Sequence, residues 1–250
     1  MNKRVALITG VAGGIGCATA ELFSAEGWYV IGIDQKPNQE SEGIDHYIQA
    51  DASDPEQILA AVERVTQRIG QLDALINNAA IQICKPAIEM ELVEWDRTMA
   101  VNVRAAFLFS KAAYPLLKES QGSIVNVSSV HAIATSANVA AYATSKGAII
   151  AFTRALGIEL APTKIRVNAI LPGAVDTPML HSGLARGHLS GTNLDELMQQ
   201  VGQKTVMGKV GTPTEIAQAI FFLADSSRSS FMTGQTLVVD GGATAKLSTE

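Results

Sequence analysis

Cysteine is nearly absent from this chain of 250 residues: Cys17 and Cys84 stand far apart, without metal-ligand spacing. That usage argues against a disulfide framework and points to free thiols in a reducing compartment. The four histidines, His46, His131, His181 and His188, form no ligand spacing either, so no metal is expected. Positive charge is in short supply. Lys and Arg number 19 against 24 Asp and Glu, a net charge of −5, and no basic cluster occurs. This leaves no electrostatic footprint for nucleic acid. Long apolar runs are missing as well. The longest stretch without Asp, Glu, Lys or Arg includes Gln121 to Ser145, and it holds too many Ser, Asn and Thr to span a membrane. Lys3 and Arg4 precede an apolar run, but glycines from Gly10 onward and Glu21 interrupt any signal-peptide core. The expectation is a cytoplasmic protein with no membrane and no nucleic-acid partner.

What is present is a regular alternation. With 47% apolar and 17% charged residues the chain has the composition of a folded domain, and its length suffices for a large core. Apolar, strand-like runs occur at 5–8, 29–33, 47–50, 74–76, 124–127, 166–171 and 236–239. Between most of them lie helical patterns at 14–26, 55–69, 92–119, 140–160 and 213–224. Near-continuous apolar strands alternating with helices predict an α/β chain whose parallel sheet is covered on both faces. No repeat or linker divides it, so one domain over 1–250 is expected. The long irregular segment is 174–212, with a short helical stretch near 194–203 and glycines at Gly183, Gly187, Gly191 and Gly202. Such a loop in a compact domain is usually functional, and a substrate lid is expected.

The first strand runs into Thr9-Gly10-Val11-Ala12-Gly13-Gly14-Ile15-Gly16. Glycines let the chain turn tightly and let backbone N–H groups approach a pyrophosphate at a helix N-terminus. Asp34 ends the next strand, where a carboxylate accepts hydrogen bonds from ribose hydroxyls and repels a 2′-phosphate. Lys36 lies two residues on and could soften that preference; NAD is expected over NADP.

A second constellation lies between Ser128 and Lys146. Tyr142 and Lys146 are four apart and share one face of the predicted helix. A free phenol titrates near about 10 and is a poor base at neutral pH; a nearby ammonium favours the phenolate. The pair therefore suits proton transfer. Ser128 or Ser129, at the preceding strand tip, could point a hydroxyl at the same spot.

Together these residues resemble the short-chain dehydrogenase/reductase family nearly end to end. Asp51 follows the third strand and Asn77-Asn78-Ala79-Ala80 the fourth. Val101-Asn102-Val103 lies on the next helix, and Pro172-Gly173-Ala174-Val175-Asp176-Thr177-Pro178 follows the sixth strand. Thr233-Gly234-Gln235 and Val239-Asp240-Gly241-Gly242 match the family's last strand. The order and spacing of the pieces make the resemblance specific. It implies a single doubly wound Rossmann-type domain of about seven parallel strands. It implies NAD bound by Gly10, Gly14, Ile15, Gly16, Asp34, Asp51, Ala52, Asn78, Ala79, Tyr142, Lys146, Pro172, Gly173, Val175 and Thr177, with Asp51 toward adenine and Thr177 toward the carboxamide. It further implies that Tyr142, as phenolate, takes the proton of a secondary alcohol while hydride passes to the cofactor. Lys146 would lower the tyrosine pKa and bind the nicotinamide ribose. Asn102 would hold a relay water behind it. Ser129, whose spacing to Tyr142 fits better than that of Ser128, would hold the substrate oxygen. Ala80 stands where the family usually has Gly, and its methyl disfavours a positive φ.

For the substrate, Gln82, His131, Met179, Leu180 and His181 are candidate contacts beside Ser129 and Tyr142. Gln82 and His131 could bind hydroxyls, which suggests a sugar, polyol or cyclitol. Two other readings are a reductase of carrier-bound 3-oxoacyl chains, against which Asp34 speaks, and a non-catalytic NAD-binding regulatory protein, against which the intact Asn102, Ser129, Tyr142 and Lys146 speak. The helices at 102–118 and 140–160 carry apolar or small residues on more than one face, including Phe107, Phe109, Ala148 and Phe152. Helices of that kind are buried on two sides. A homodimer at least, and with the family resemblance a homotetramer, is expected.

Overall fold

The computed structural model describes residues 3–37, 42–184 and 193–246. Strands form on the predicted apolar runs: β1 (Val5–Thr9), β2 (Tyr29–Asp34), β3 (His46–Gln49), β4 (Ala74–Asn77), β5 (Ser123–Val127), β6 (Arg166–Pro172) and β7 (Thr236–Val239). They make one seven-stranded sheet in the order β3-β2-β1-β4-β5-β6-β7, with every pairing parallel. β1, β4, β5 and β6 are buried along their whole length, which is why they read as continuous apolar runs rather than alternating ones.

The helices are α1 (Gly14–Ala25), α2 (Pro55–Arg68), α3 (Leu92–Met99), α4 (Ala105–Ser120), α5 (Ala140–Leu160), α6 (Pro178–Leu184), α7 (Leu194–Gln203), α8 (Pro213–Ala224) and the single turn α9 (Ser226–Ser229). Strand periodicity sorts them onto two faces. Leu7, Ile31, Ile33, Leu75 and Ile124 pack with α2 and α4 through Val62, Val65, Phe109 and Leu117. Their neighbours Ala6, Ile8, Val30, Ile76 and Val125 pack on the other side with Phe23 of α1 and Ile216, Ile220 and Phe221 of α8. There Phe23 meets Trp28 and Phe221 edge to face, at 5.1 and 4.9 Å between centroids. α5 packs against β6, and its Gly157 is so close to the turn before β7 that a Cβ would sit 2.8 Å from the Gly234 nitrogen.

Three features depart from the sequence reading. The expected helix over 92–119 is broken: α3 ends at Met99, a π-helical turn runs Ala100–Arg104 with the Ala105 N–H on the Ala100 carbonyl, and α4 follows. Such turns often mark functional sites, and this one buries Asn102. A second departure is α6, within the stretch read as irregular. Its signal was available, since Pro178 at a first helical position after a Thr is a helix start, and Thr177 Oγ1 accepts from the Leu180 N–H at 3.3 Å. The glycines Gly187 and Gly191, and His188, lie outside the described residues. Third, Phe109 is 1% exposed and belongs to the core, so it faces the sheet and not a partner; Phe107, 47% exposed, is the outward aromatic. Ala80 is not among the described non-glycine residues with positive φ, which are Gln121, Asn138 and Lys164, in keeping with the methyl that it carries.

One buried cation ties the sheet to α8 and α9. Arg166 donates to the carbonyls of Leu223, Ala224 and Ser229 and to the hydroxyls of Ser226 and Ser229, at 2.9–3.2 Å. Removing it orphans carbonyls that have left water, each costing about 1–3 kcal/mol. Arg166→Met should therefore destabilise the fold by about 3 kcal/mol, read as a lower denaturant midpoint at unchanged slope. A loss below about 0.5 kcal/mol would show that water replaces the guanidinium.

Candidate active site

The chain leaves β1 toward β2 on one side of the sheet and reaches β4 on the other, so a crevice opens at the C-terminal ends of these strands. The glycine turn fills its mouth. Gly10 has φ +73°, and a Cβ on Gly16 would sit 2.1 Å from the Gly10 carbonyl oxygen, so neither position accepts another residue unchanged. Asn78 locks the turn to β4: its amide donates to the carbonyls of Thr9 and Gly10 at 2.9 and 3.1 Å. Thr9 Oγ1 accepts in return from the N–H groups of Asn78 and Ala79, both at 3.0 Å. α1 begins with Gly13 making no side-chain cap and no acidic residue in its first turn. Its leading N–H groups are thus unclaimed by side chains and fit a phosphate.

Two cavities lie along this edge. The smaller is lined by Gly10, Asp34, Asp51, Ala52, Ala79, Ala80 and, unforeseen, Arg97 and Val101. Asp34 is held in place by accepting from the N–H groups of Ala12 and Lys36, both at 3.0 Å. Asp51 accepts from the Ser53 N–H at 2.7 Å. The larger, of about 360 Å³, is lined by Ile15, Asn78, Gln82, Ser129, His131, Tyr142, Lys146, Pro172, Gly173, Val175, Thr177, Met179 and Leu180 among others. A Cβ on Gly14 would sit 2.8 Å from Thr177 Cγ2. The two cavities share Ala80; the smaller lies beside Asp34 and the larger reaches Ile15 at the start of α1.

The catalytic candidates converge on the floor of the larger cavity. Ser129 is extended, with φ −168° and ψ 158°, and caps a short 3₁₀ turn, Val130–Ala132, by accepting from the His131 N–H at 3.2 Å. Its hydroxyl is near enough to the Tyr142 phenol to pull that group's pKa downward. Ser128 points elsewhere, and its hydroxyl donates to the Lys146 carbonyl at 2.8 Å. Lys146 Nζ donates to the Val127 carbonyl at 2.8 Å and lies 5.5 Å from the centroid of the Tyr142 ring. Asn102 is fully engaged. Its Oδ1 accepts from the Ile81 N–H, and its Nδ2 donates to the Ile81 carbonyl and to Ser145 Oγ, at 2.9–3.0 Å. Ser145 in turn donates to the Tyr142 carbonyl at 2.7 Å. Asn102 thus reaches the tyrosine through Ser145 rather than through a contact with Lys146.

Two expectations for this site need correcting. Lys146 is expected to depress the tyrosine pKa; instead, burial dominates and pushes the Tyr142 phenol up to about 12, against a smaller downward pull from Ser129. Burial also brings Lys146 down to about 8. His181 is expected in the substrate cavity; its Nε2 pairs instead with Asp176 Oδ1 at 2.6 Å, and it is not among the lining residues. Gln82 and His131 do line the cavity. The His131 ring stands edge to face with Tyr142, shares Nδ1 with Thr135 Oγ1 at 2.9 Å, and is biased toward neutrality by burial. Missed in the sequence were Cys84, Asn138, Val139, Leu184, Val201 and Lys204. Cys84 and Val139 arrive together because Lys85 bridges Val139 and donates its N–H to the Asn138 carbonyl at 2.7 Å; no spacing in the chain announces that pairing. Among the described residues no group of His, Cys, Asp and Glu could hold a metal ion, and no helix is long and apolar enough to cross a membrane.

A glycine turn under a phosphate-accepting helix, with a Ser, Tyr and Lys set on a Rossmann-type sheet, defines the class of nicotinamide-dependent oxidoreductases. Comparison with known proteins narrows the class. A family model described as enoyl-(acyl carrier protein) reductase matches residues 10–244. A cyclopentanol dehydrogenase from Comamonas is 35% identical over 98% of this chain and 98% of its own. A 3-oxoacyl-[acyl-carrier-protein] reductase from Thermotoga maritima is 39% identical over 97% and 98%. The ligand-free structure of Thermoplasma acidophilum aldohexose dehydrogenase superposes with a TM-score of 0.93 at 33% identity, covering 99% of this chain and 96% of that one. The chain belongs to the short-chain dehydrogenase/reductase family.

The buried lysine generates a prediction. An unfolded lysine titrates near about 10.4, and folded Lys146 near about 8. Between those values the unfolded chain holds a proton that the folded chain has released, so stability rises with pH through that window. From about pH 7.5 to about pH 9.5 the urea midpoint of the unmodified protein should gain on that of Lys146→Met. Parallel profiles would show that Lys146 is not desolvated.

Proposed function

We propose that this protein is an NAD(H)-dependent dehydrogenase/reductase interconverting a secondary alcohol and a ketone, in the cytoplasm. The observation that carries the reading is the convergence of Ser129, Tyr142 and Lys146 on one cavity floor, with Asp34 lining the adjoining cavity. NAD, when bound, supplies or accepts the hydride. Ser129 holds the substrate oxygen by its hydroxyl, and Tyr142 takes or gives the proton at that oxygen. Lys146, anchored on the Val127 carbonyl, places a positive charge near the phenol and donates to the nicotinamide ribose. Asn102 fixes the loop after β4 to α5, through Ile81 and Ser145. The names of the relatives support a small ring alcohol or a sugar as substrate, and residues 174–212, of which 185–192 lie outside the described residues, are read as the cover over it. The Thermotoga relative favours a second reading, reduction of a carrier-bound 3-oxoacyl chain; preference for NADPH and turnover of acyl-carrier substrates would select it.

The test is a panel of ring alcohols and ketones assayed with both cofactors. NAD should exceed NADP by more than about tenfold in kcat/KM, about 1.4 kcal/mol, and Asp34→Ala should narrow the gap. Tyr142→Phe should abolish turnover while NADH still binds. Equal use of NADP, or more than a few per cent of activity in Tyr142→Phe, would overturn the reading.

We further propose a homotetramer, built in part on the outer faces of α4 and α5. Phe107 is half-exposed there with Phe152 against it at 6.5 Å, and a Cβ on Gly147 would meet nothing. An apolar face of this kind is covered in a stable protein. Light scattering should give a tetramer, and Phe107→Arg a smaller species. A monomeric unmodified protein would exclude this interface.

A further inference from the structure

The substrate end of the larger cavity carries charge of one sign. Two of its lining residues are lysines, Lys146 and Lys204, and none is Asp or Glu. Lys146 is committed to the Val127 carbonyl. Lys204, at the C-terminal end of α7, is exposed and forms no ion pair among the described residues. Its neighbours are not free in this way, since Lys209 is paired with Glu215 and His181 with Asp176. Two further polar groups border the same space. The Gln82 amide has no hydrogen-bond partner among the described residues, and its Oε1 lies 3.9 Å from where a Cβ on Gly183 of α6 would stand. His131 uses Nδ1 on Thr135, which leaves Nε2 without a protein partner among those residues.

Lys204 also lies toward the β7 edge of the sheet. The segment after it packs beyond β7: the Met207 N–H donates to the Gly241 carbonyl at 3.0 Å, and a Cβ on Gly242 would meet Val206 at 2.8 Å. β7 is the far edge of the sheet, whereas the glycine turn follows β1 and Asp34 ends β2. Lys204 therefore lines the larger cavity from the β7 end of the sheet, not from the glycine-turn end.

We propose that the natural substrate is anionic: a hydroxy acid, or the matching keto acid, whose carboxylate is bound by Lys204 with Gln82 beside it while its carbinol carbon lies at Ser129 and Tyr142. The inference rests on the dehydrogenase reading above and refines its substrate. In the oxidation the carbinol C–H leaves as hydride to NAD⁺ and the O–H proton goes to Tyr142, so the carboxylate is a handle and takes no part in the bond changes. A carboxylate meeting the Lys204 ammonium forms a charge-assisted hydrogen bond. A neutral polyol would gain nothing from the Lys204 charge, and a cationic substrate would face two lysines.

The test uses ring and open-chain hydroxy acids, each paired with its methyl ester, which keeps the shape and removes the charge. In the unmodified enzyme the acid should exceed its ester in kcat/KM by about tenfold or more. That ratio should fall toward one in Lys204→Gln, fall below one in Lys204→Glu and return in Lys204→Arg. The change should lie in KM for the acid. An acid that is no better than its ester overturns the inference and leaves the dehydrogenase reading standing. So does a loss equal for acid and ester that tracks a weaker NADH affinity, which would place Lys204 on the cofactor. Turnover of no acid and no ester, with neutral ring alcohols also inert, would overturn both.

Discussion

The site depends on one lysine fastened at both ends. Lys146 sends its ammonium to the Val127 carbonyl at the tip of β5, and its own carbonyl takes the hydroxyl of Ser128, one residue further along. Two hydrogen bonds between the same pair of segments fix both the height and the rotation of α5 over the sheet. Tyr142, one turn earlier, is thereby brought to the cavity that Ser129 also lines. Ser145, the residue just before Lys146, is caught by Asn102, whose π-helical turn is held to Ile81 after β4. Strand ends and helices meet here through side chains of a few consecutive residues. The cost of the arrangement is a buried cation held by a backbone carbonyl rather than a carboxylate, and the lowered Lys146 pKa measures that cost.

The frame was legible because its strands are buried on both sides. β7, α5, α7 and α8 fall on the predicted runs, and most other elements differ by a residue or two at their ends. Periodicity could not show the π turn, because one inserted residue leaves the apolar pattern of 92–119 nearly intact while rotating the helix beyond it. For the same reason the outward aromatic was misread: on α4, Phe109 turns to the sheet and Phe107 to solvent. α6 was missed because a seven-residue helix has too few turns to show a period; its Thr-Pro start was the readable mark.

The two ends of the site were unequally legible. The cofactor end is built by short turns directly after strands, so Gly10, Asp34 and Asp51 announce themselves by position in the chain. The substrate end is assembled from segments that meet only in space: Gln82 and Cys84 after β4, His131 after β5, and Val201 and Lys204 on and after α7. Residue type was equally ambiguous for the tyrosine. Adjacent charge and burial act on a phenol in opposite directions, and the sequence shows the lysine but not the depth of the pocket.

The closeness of Gly157 to the turn at Gly234 gives α5 the mechanics of a lever. Tyr142 lies fifteen residues up the same helix, or ~22 Å along its axis. In an isolated helix Gly157→Ala would be favourable by about 1 kcal/mol. Here a methyl would push against backbone rather than a yielding side chain. A tilt of roughly 2° about that contact would carry the phenol by about 0.8 Å, and displacements of about 1 Å at a reacting group can cost about a hundredfold in rate. The alignment of the Tyr142 phenol is thus set in part by a helix–turn contact near the other end of α5, and a residue with no chemistry of its own acts there as the fulcrum.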